Sequence, residues 1–360
     1  MSITQNKNFA DCLPAVTGAL GAEKAFALVA MEDAENPEFF CGAPVGDRCF
    51  MAVSWASTFS SALMIGREYT ARQAAALAPV TTRRPITLDD VSTDRTCYLT
   101  KVGSLITELK ESGGKTVISK VIVDDAPRDV IRQSLEFLDD AAGDCMRCLF
   151  FVPGEGLWLF VSPEKLINVS RQSDGRSRFS TMSLAGTRAA GTSADIPWDA
   201  KNLDEQQMVT DFILRVLADN GAIVENCDSG TRTAAAVQHI VTYIDGYVRS
   251  GNIEKLIDAL SPTPALCGLP RETSLHRIHN IEDHSRRYYG GYAGIADGQN
   301  LNLSVILRCA RIADGRCCIY SGSGVTAKSV PETEWDELSL KALPLVRMFS
   351  GQSQLNYCQS

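Results

Sequence analysis

Residues 302–324, NLSVILRCARIADGRCCIYSGSG, decide the fold class of this chain. Two apolar runs flank the dipeptide Asp314-Gly315, and Asp-Gly between such runs is typical of a tight hairpin turn. The stretch therefore predicts two antiparallel strands that meet at this turn.

Outward from this hairpin, the neighbouring segments show related patterns. Residues 149–164, LFFVPGEGLWLFVSPE, predict a second hairpin that turns at Pro-Gly-Glu-Gly, and residues 115–125, KTVISKVIVDD, predict a strand. Residues 204–221 carry a helical apolar stripe that ends at Gly221, and residues 329–332, SVPE, have the form of a capping box before a last helix. Hairpins mixed with separate helices indicate an α+β fold in which helices pack outside antiparallel sheets.

The composition is that of an ordinary globular protein, since 45% of the 360 residues are hydrophobic and 22% are charged. The net charge of -8 argues against a broad electrostatic grip on nucleic acid or on an anionic membrane. The sequence has neither an export signal nor a run of about 18 apolar residues, so we expect a cytoplasmic protein with reduced cysteines. No repeat or linker divides the chain, which predicts one domain over residues 1–360. No feature predicts an obligate protein partner.

The last predicted helix places Glu334, Glu337 and Lys341 on one face, because residues three or four apart are neighbours on a helix. Two carboxylates placed in this way can share a magnesium ion, which prefers oxygen ligands and retains several waters. The same spacing is also typical of a solvated acidic face on which Glu337 pairs with Lys341. Both alternatives stay open on spacing alone.

Arg308 stands in the first hairpin, where strand alternation predicts that it shares a face with Ile306, Ala310 and Ile312. A buried guanidinium requires a carboxylate, which either the protein or a ligand can supply. His239 lies in the apolar run VQHIVTYIDGYV, which we interpret as a helical pattern with a core histidine.

Two lysines and two glycine-bearing turns offer further candidates. Lys115 and Lys120 both lie in the predicted strand, where desolvation can lower a lysine pKa enough for base catalysis but where lysines also extend to solvent. Alternation does not choose between them. The turns LAGTR at 184–188 and SGSG at 321–324 can present backbone N–H groups to an anion or serve backbone geometry alone.

Ten segments, taken in order, resemble the chorismate-binding enzymes, a family that includes isochorismate, salicylate, anthranilate and aminodeoxychorismate synthases. These segments are KTVISK, FVSPEKL, LAGTRAAG, DEQQMV, VQHIVTYIDG, SPTPALCGLPRE, RRYYGGYAG, VILRCARI, YSGSG and PETEWDELSLK. The resemblance implies the fold of aminodeoxychorismate synthase and anthranilate synthase component I, with large antiparallel sheets packed as a sandwich and helices outside. It implies a family core over residues 101–360, preceded by a weakly patterned part over residues 1–100.

The resemblance also implies a role for each matching residue. Lys115 matches the general base, which selects it over Lys120, and Glu164 matches the general acid. The implied ligands of a magnesium ion are Glu205, Glu334 and Glu337. The implied contacts of the substrate, chorismate, are Ala185, Gly186, Thr187, His239, Ala265, Tyr289, Arg308, Gly322, Gly324 and Lys341.

A few positions are similar to one branch of the family. Anthranilate synthases usually lack a lysine at the position of Lys115. Aminodeoxychorismate synthases typically have a nucleophilic lysine at the position of Ala185. The run P-T-P-A at 262–265 is similar to the isochorismate synthases. The implied reaction is the magnesium-dependent conversion of chorismate to isochorismate, by water attack at C2 and loss of the C4 hydroxyl, for menaquinone synthesis. The alternatives are a salicylate synthase-like enzyme, isochorismate supply for a catechol siderophore, or a catalytically silent chorismate-binding subunit.

Two departures from the family pattern lie beside the first predicted metal ligand. Asn202 stands three residues before Glu205, where an acidic residue is usual, and Gln206 replaces the histidine that usually follows. We expect the loss of a carboxylate near the metal to affect magnesium binding.

Overall fold

A computed structural model describes residues 8–32, 34, 36–43, 47–66, 88, 90–141, 143–193, 195–234 and 237–350. Within these residues the chain forms sixteen β-strands and seven α-helices. The strands are β1 (Phe26–Ala30), β2 (Glu38–Cys41), β3 (Cys49–Val53), β4 (Leu63–Ile65), β5 (Lys115–Asp125), β6 (Met146–Val152), β7 (Gly156–Ser162), β8 (Lys165–Arg171), β9 (Arg176–Ala189), β10 (Ile223–Ala234), β11 (Val237–Arg249), β12 (Gly268–Leu269), β13 (Tyr292–Ala296), β14 (Asn300–Val305), β15 (Cys309–Ala313) and β16 (Arg316–Thr326). The helices are α1 (Leu13–Gly21), α2 (Arg95–Ser112), α3 (Val130–Asp140), α4 (Ala200–Asp219), α5 (Ile253–Leu260), α6 (Arg271–Ile281) and α7 (Pro331–Phe349).

The strands form two eight-stranded sheets. The first has the order β12-β5-β16-β15-β7-β6-β1-β2, and the second has the order β10-β11-β9-β8-β14-β13-β3-β4. All pairs of neighbouring strands are antiparallel. One apolar cluster draws buried side chains from both sheets, for example Phe150 and Trp158 from the first and Phe50 and Ile295 from the second. The sheets therefore pack face to face as a sandwich, which confirms the predicted fold class.

Helices cover the outer faces of the sandwich. Apolar residues of α1, α3 and α7 pack on the first sheet, and those of α4 and α5 pack on the second. A further cluster joins α2, α6 and α7 beside β5 and β16. In the described part of the chain, no helix is both long and apolar enough to cross a membrane.

The hairpin at Asp314-Gly315 is confirmed, but it consists of β15 and β16 alone. Both turn residues have positive φ, +52° for Asp314 and +70° for Gly315, as a tight hairpin turn requires. The chain before β15 belongs to the other sheet, because β14 pairs with β8 and β13. The hairpin predicted in residues 149–164 is also confirmed, since β6 pairs with β7.

The predicted placement of Arg308 on one strand face is wrong. The chain crosses from the second sheet to the first between β14 and β15, and Arg308 lies in that crossing with a φ of +46°. Ile306 consequently packs between the sheets, whereas Ala310 and Ile312 pack under the outer helices. Alternation assumes a continuous strand, and the crossing interrupts it.

Three local predictions need correction. The run around His239 is strand β11 rather than a helix, because it pairs along its length with β9 and β10. Helix α4 starts at Ala200, since the Asp199 side chain accepts a hydrogen bond from the Asn202 backbone and caps the helix. Helix α7 starts at Pro331 without a capping box, because the Ser329 hydroxyl accepts from the Thr326 backbone instead.

The first hundred residues contribute to both sheets. Strands β1 and β2 lie at one edge of the first sheet, and β3 and β4 lie at the edge of the second. All residues of β1 and β3 are buried. A strand buried on both faces shows no alternation of polar and apolar residues, which explains the weak pattern. The single-domain interpretation stays a prediction.

Candidate active site

A cavity opens where the chain passes between the two sheets. Pro163 and Glu164 connect β7 of the first sheet to β8 of the second, and Arg308 lies in the crossing from β14 to β15. The two crossings run side by side, because the Val305 amide donates to the Glu164 carbonyl (3.0 Å) and the Val161 amide donates to the Arg308 carbonyl (3.4 Å). Both Glu164 and Arg308 line the cavity.

The structure brings most of the predicted site residues together. Those that line the cavity are Lys115, Glu164, Ala185, Gly186, Thr187, Glu205, His239, Ala265, Tyr289, Arg308, Gly322, Gly324 and Lys341. The other two, Glu334 and Glu337, lie on α7 and contact Lys201 and Lys341, of which Lys341 lines the cavity. The roles of all these residues stay predictions.

Glu164 is a buried carboxyl group whose carboxylate accepts one side-chain hydrogen bond from the described residues. It is 4% exposed, and the Thr263 hydroxyl donates to its Oε1 at 3.2 Å. Burial raises the pKa of Glu164 to about 7, although the Thr263 hydrogen bond and the charges of Lys115 and Lys341 act in the opposite direction. A carboxyl group of this pKa is substantially protonated at neutral pH, as a general acid requires. Sequence reasoning missed Thr263, although it stands inside the P-T-P-A run.

Only one of the two strand lysines reaches the cavity. Lys115 is 1% exposed, and its Nζ lies 2.7 Å from Glu205 Oε1. Five residues further along β5, Lys120 points to the opposite face, donates to Ser339 (2.7 Å) and stacks 3.7 Å from the Trp335 ring centre. Burial lowers the pKa of Lys120 to about 8, but Lys120 does not line the cavity.

His239 supports Arg308 from the second sheet. Burial, with the charges of Arg308 and Lys341, lowers the pKa of His239 to about 3, so its ring is neutral at physiological pH. Nδ1 lies 2.9 Å from the Gly186 carbonyl, which can only accept, so the proton resides on Nδ1. Nε2 is then the acceptor for Arg308 Nη2 at 3.2 Å. His239 thus lines the cavity as a neutral ring that orients a cation.

The turn LAGTR forms a bulge opposite His239. The register between β9 and β11 shifts so that Gly186 and Thr187 have no paired residue, and Gly186 has a φ of +65°. The Asn202 side chain accepts from the Thr187 amide (2.8 Å) and donates to Asp199 (2.6 Å).

The two residues that depart from the family pattern therefore both form hydrogen bonds with the second sheet. Asn202 bonds the bulge, and Gln206 is buried against Ser183 and Thr242, at 2.7 Å and 3.0 Å from their hydroxyls. The effect of these two residues on magnesium binding stays a prediction.

Two glycines of β16 leave space for the side chains opposite them. A Cβ on Gly324 would collide with Lys115 Cε and lie 2.9 Å from Glu205 Oε1, and a Cβ on Gly322 would collide with Tyr289 Oη. The Tyr289 ring stacks on Tyr320 at 5.6 Å. The absence of a side chain at these positions is thus a steric requirement of the cavity.

Three carboxylates, which we call the carboxylate cluster, project from α4 and α7: Glu205, Glu334 and Glu337. Each contacts a lysine, at 2.7 Å for Glu205 with Lys115, 3.0 Å for Glu334 with Lys201, and 2.7 Å for Glu337 with Lys341. Burial opposes ionisation of Glu337, but the Lys341 charge and hydrogen bond bring its pKa below the ordinary value.

The donor set of this cluster suits magnesium, which prefers carboxylate oxygens. Glu334 is 1% exposed, and its Oε2 is buried without a hydrogen-bond partner in the described part of the chain. A buried unpaired carboxylate oxygen is costly unless a cation or donor approaches it. Among the described residues, no three His, Cys, Asp or Glu side chains lie close enough together to hold a metal ion as they stand. Metal binding by the cluster would therefore require these carboxylates to move closer together.

The chain is similar in sequence to a family of known enzymes. The profile of the family described as "Chorismate binding enzyme" matches residues 48–350. The chain is 30% identical to the salicylate biosynthesis isochorismate synthase of Pseudomonas aeruginosa over 70% of its length, and 28% identical to the isochorismate synthase MenF of Bacillus subtilis over 72%. These matches cover 54% and 56% of the two relatives, so the chain spans a little over half of their length.

Solved structures share the fold. The menaquinone-specific isochorismate synthase MenF of Escherichia coli superposes with a TM-score of 0.72 at 18% identity, over 93% of this chain and 91% of that one. Anthranilate synthase component I of Streptococcus pneumoniae superposes with a TM-score of 0.59 at 17% identity, over 72% and 62% of the two chains.

Proposed function

The chain belongs to the chorismate-binding enzyme family, and from this membership we propose that it is an isochorismate synthase. The observation that carries the proposal is that a lysine and a protonatable carboxyl group, Lys115 and Glu164, open onto one cavity that also holds Arg308. Acid and base chemistry needs two groups of different character at the same reacting ring. A chorismate-binding protein without activity would need neither of them.

In the proposed reaction, Lys115 accepts a proton from the water that attacks C2 of chorismate. The electron pairs of the ring double bonds shift, and the C4–oxygen bond breaks. Glu164 donates its proton to the departing hydroxyl, which leaves as water. One water enters and one leaves, so the reaction is an isomerisation without a covalent intermediate.

The cationic side chains of the cavity suit a dicarboxylate. Arg308, oriented by His239, and Lys341, which contacts the Gly322 carbonyl at 3.2 Å, offer two positive charges inside a partly buried site. The residues proposed to hold magnesium are Glu205, Glu334 and Glu337. The chemistry that magnesium supplies when bound is positive charge against a substrate carboxylate.

We propose a cytoplasmic enzyme that supplies isochorismate for menaquinone synthesis without an obligate protein partner. Similarity of fold to the menaquinone-specific isochorismate synthase of Escherichia coli, which covers 93% of this chain, supports this pathway. Siderophore supply is the alternative. The two pathways can be separated by measuring menaquinone in a strain that lacks the gene, with and without an isochorismate synthase supplied from a plasmid. Menaquinone that is lost and then restored would support the menaquinone pathway.

The direct test of activity is incubation of the purified protein with chorismate and magnesium, followed by chromatography of the products. We expect chorismate and isochorismate to reach an equilibrium mixture, with no reaction in the presence of a chelator. Release of salicylate and pyruvate would instead identify a salicylate synthase-like enzyme. An unchanged chorismate pool, together with measurable chorismate binding, would identify a silent binding subunit.

The two lysines of β5 provide a matched pair of variants for the role of the base. Lys115→Ala should reduce the rate by about 10²- to 10⁴-fold, because general base catalysis contributes factors of that size. Lys120 is a buried lysine of the same strand that lies outside the cavity. Lys120→Ala should therefore leave the rate within about threefold of wild type, while it lowers thermal stability. Equal losses of activity in both variants would show that the lysines act through the fold.

A further inference from the structure

A third lysine contacts the carboxylate cluster and has no part in the proposed chemistry. Lys201 lies on α4 four residues before Glu205, so the two side chains project from the same side of the helix. Its Nζ lies 3.0 Å from Glu334 Oε1, and Glu334 is 1% exposed. Of the three lysines that contact the cluster, Lys115 is the proposed base and Lys341 is a proposed substrate contact. The role of the third, Lys201, is unexplained by the proposed reaction.

Lys201 lies between carboxylates of two helices. It is four residues before Glu205 on α4, and its Nζ contacts Glu334, which shares a face of α7 with Glu337. An ammonium in this position lies where the negative potentials of neighbouring carboxylates add, and a divalent cation is attracted to the same region.

We infer that Lys201 is a resident cation that competes with magnesium for the carboxylate cluster. The inference rests on the magnesium site of the proposed function. In the metal-free protein Lys201 neutralises the buried Glu334 carboxylate, which would otherwise be a buried unpaired charge. Magnesium binding then displaces the lysine side chain, which is 30% exposed and flexible enough to turn toward solvent.

This competition has two consequences for the protein. Magnesium affinity is lower than that of the same three carboxylates without the lysine, because part of the binding energy replaces an existing ion pair. The metal-free fold is also more stable than it would be with an unpaired Glu334. Lys201 thus favours a folded protein that takes up magnesium only when the concentration is sufficient.

The test is calorimetric titration of magnesium into the substrate-free protein. Lys201→Met should bind magnesium at least about tenfold more tightly than wild type, because binding no longer has to break the ion pair of Lys201 with Glu334. Lys201→Gln, which keeps a polar side chain, should show the same direction if Lys201→Met folds poorly. The matched control is Lys328→Met, since Lys328 pairs with the exposed Asp204 of the same helix at 2.8 Å. It should leave the affinity within about twofold of wild type.

A thermal shift experiment gives a second readout. Without magnesium, Lys201→Met should melt below wild type, and magnesium should raise its melting temperature by more, because a ligand stabilises in proportion to its affinity. Magnesium affinity in Lys201→Met and Lys201→Gln equal to or below that of wild type would overturn the inference.

Glu334→Gln separates this failure from a failure of the proposed function. Loss of magnesium binding in Glu334→Gln, with unchanged affinity in the lysine variants, would reject the resident cation and retain the metal site. Wild-type binding in Glu334→Gln would reject the metal site itself, and the competition with it.

Discussion

The cavity has two sides that treat the same kind of side chain in opposite ways. On one side, Glu164 receives a hydroxyl hydrogen bond from Thr263, and burial raises its pKa to about 7. On the other, Lys341 lines the cavity and contacts Glu337 behind the lining at 2.7 Å, and despite burial the pKa of Glu337 lies below the ordinary value. The neighbouring groups, and not the residue type, therefore decide whether a buried glutamate holds its proton.

This difference divides the proposed work between the two sides. A neutral carboxyl group can donate a proton to a leaving group, whereas ionised carboxylates can hold a cation or stabilise a lysine. Glu164 lies in a crossing of the chain between the sheets, whereas the other carboxylates lie on α4 and α7. The fold thus places Glu164 in the cavity together with Glu205, whereas Glu334 and Glu337 lie outside its lining.

The largest expected effect comes from removal of the proton on the acid side. Glu164→Gln keeps the shape and the capacity to accept from Thr263 but cannot donate a catalytic proton, so kcat should fall by about 10²- to 10⁴-fold. Initial rates at saturating chorismate measure this, with Glu111→Gln on the exposed side of α2 as the control. Activity close to wild type in Glu164→Gln would mean that another group protonates the leaving hydroxyl, and the comparison of the two sides would lose its functional meaning.

A smaller loss of kcat is expected from a bulkier side chain beside Lys115 and Glu205. The methyl group in Gly324→Ala would collide with Lys115 and press on Glu205, so the base would move from its position. A displacement of about 1 Å can cost about 100-fold in rate, and we expect a loss in kcat of that order.

The matched control is Gly230→Ala, because a Cβ on that exposed strand residue meets nothing within 4 Å. Circular dichroism checks that both variants fold. A Gly324→Ala protein with full activity would show that the position of Lys115 tolerates the methyl group.

A smaller effect is expected in the pH dependence of the rate. Since Glu164 must carry its proton, kcat/KM, which reports the pKa values of the free enzyme, should decrease as pH rises through about 7. The Thr263 hydrogen bond lowers the pKa of Glu164, so Thr263→Val should raise it and move the alkaline limb to higher pH, by less than about one unit. Rate profiles from pH 5 to 9 measure this shift, with Thr107→Val on the surface of α2 as the control. An alkaline limb that stays in place or moves down would contradict the assignment of the limb to Glu164.

Sequence reasoning reached most residues of the cavity but not the contacts that support them. Motif similarity singled out Lys115 and Glu164, which do line one cavity. Thr263 and Lys201 were missed because their partners, Glu164 and Glu334, lie 99 and 133 residues away along the chain. The signals that could have found them are the threonine of P-T-P-A and the lysine one helical turn before Glu205.

The error at Arg308 has a different origin. Alternation assigns faces correctly only within one strand, and the chain leaves the second sheet before it reaches Arg308. The misassigned strand around His239 shows the same limit, because pairing with β9 and β10 decided its conformation.

Local sequence was sufficient for features that neighbouring residues control, such as the Asp314-Gly315 turn, the hairpin of residues 149–164 and the apolar stripe of α4. Tertiary structure alone decided which of Lys115 and Lys120 enters the cavity, which carboxyl group is buried without a bonded cation, and which lysine contacts each glutamate. The reason is physical: turn geometry and helical periodicity depend on adjacent residues, whereas desolvation and ion pairing depend on groups that only the folded sheets and helices bring within a few ångströms.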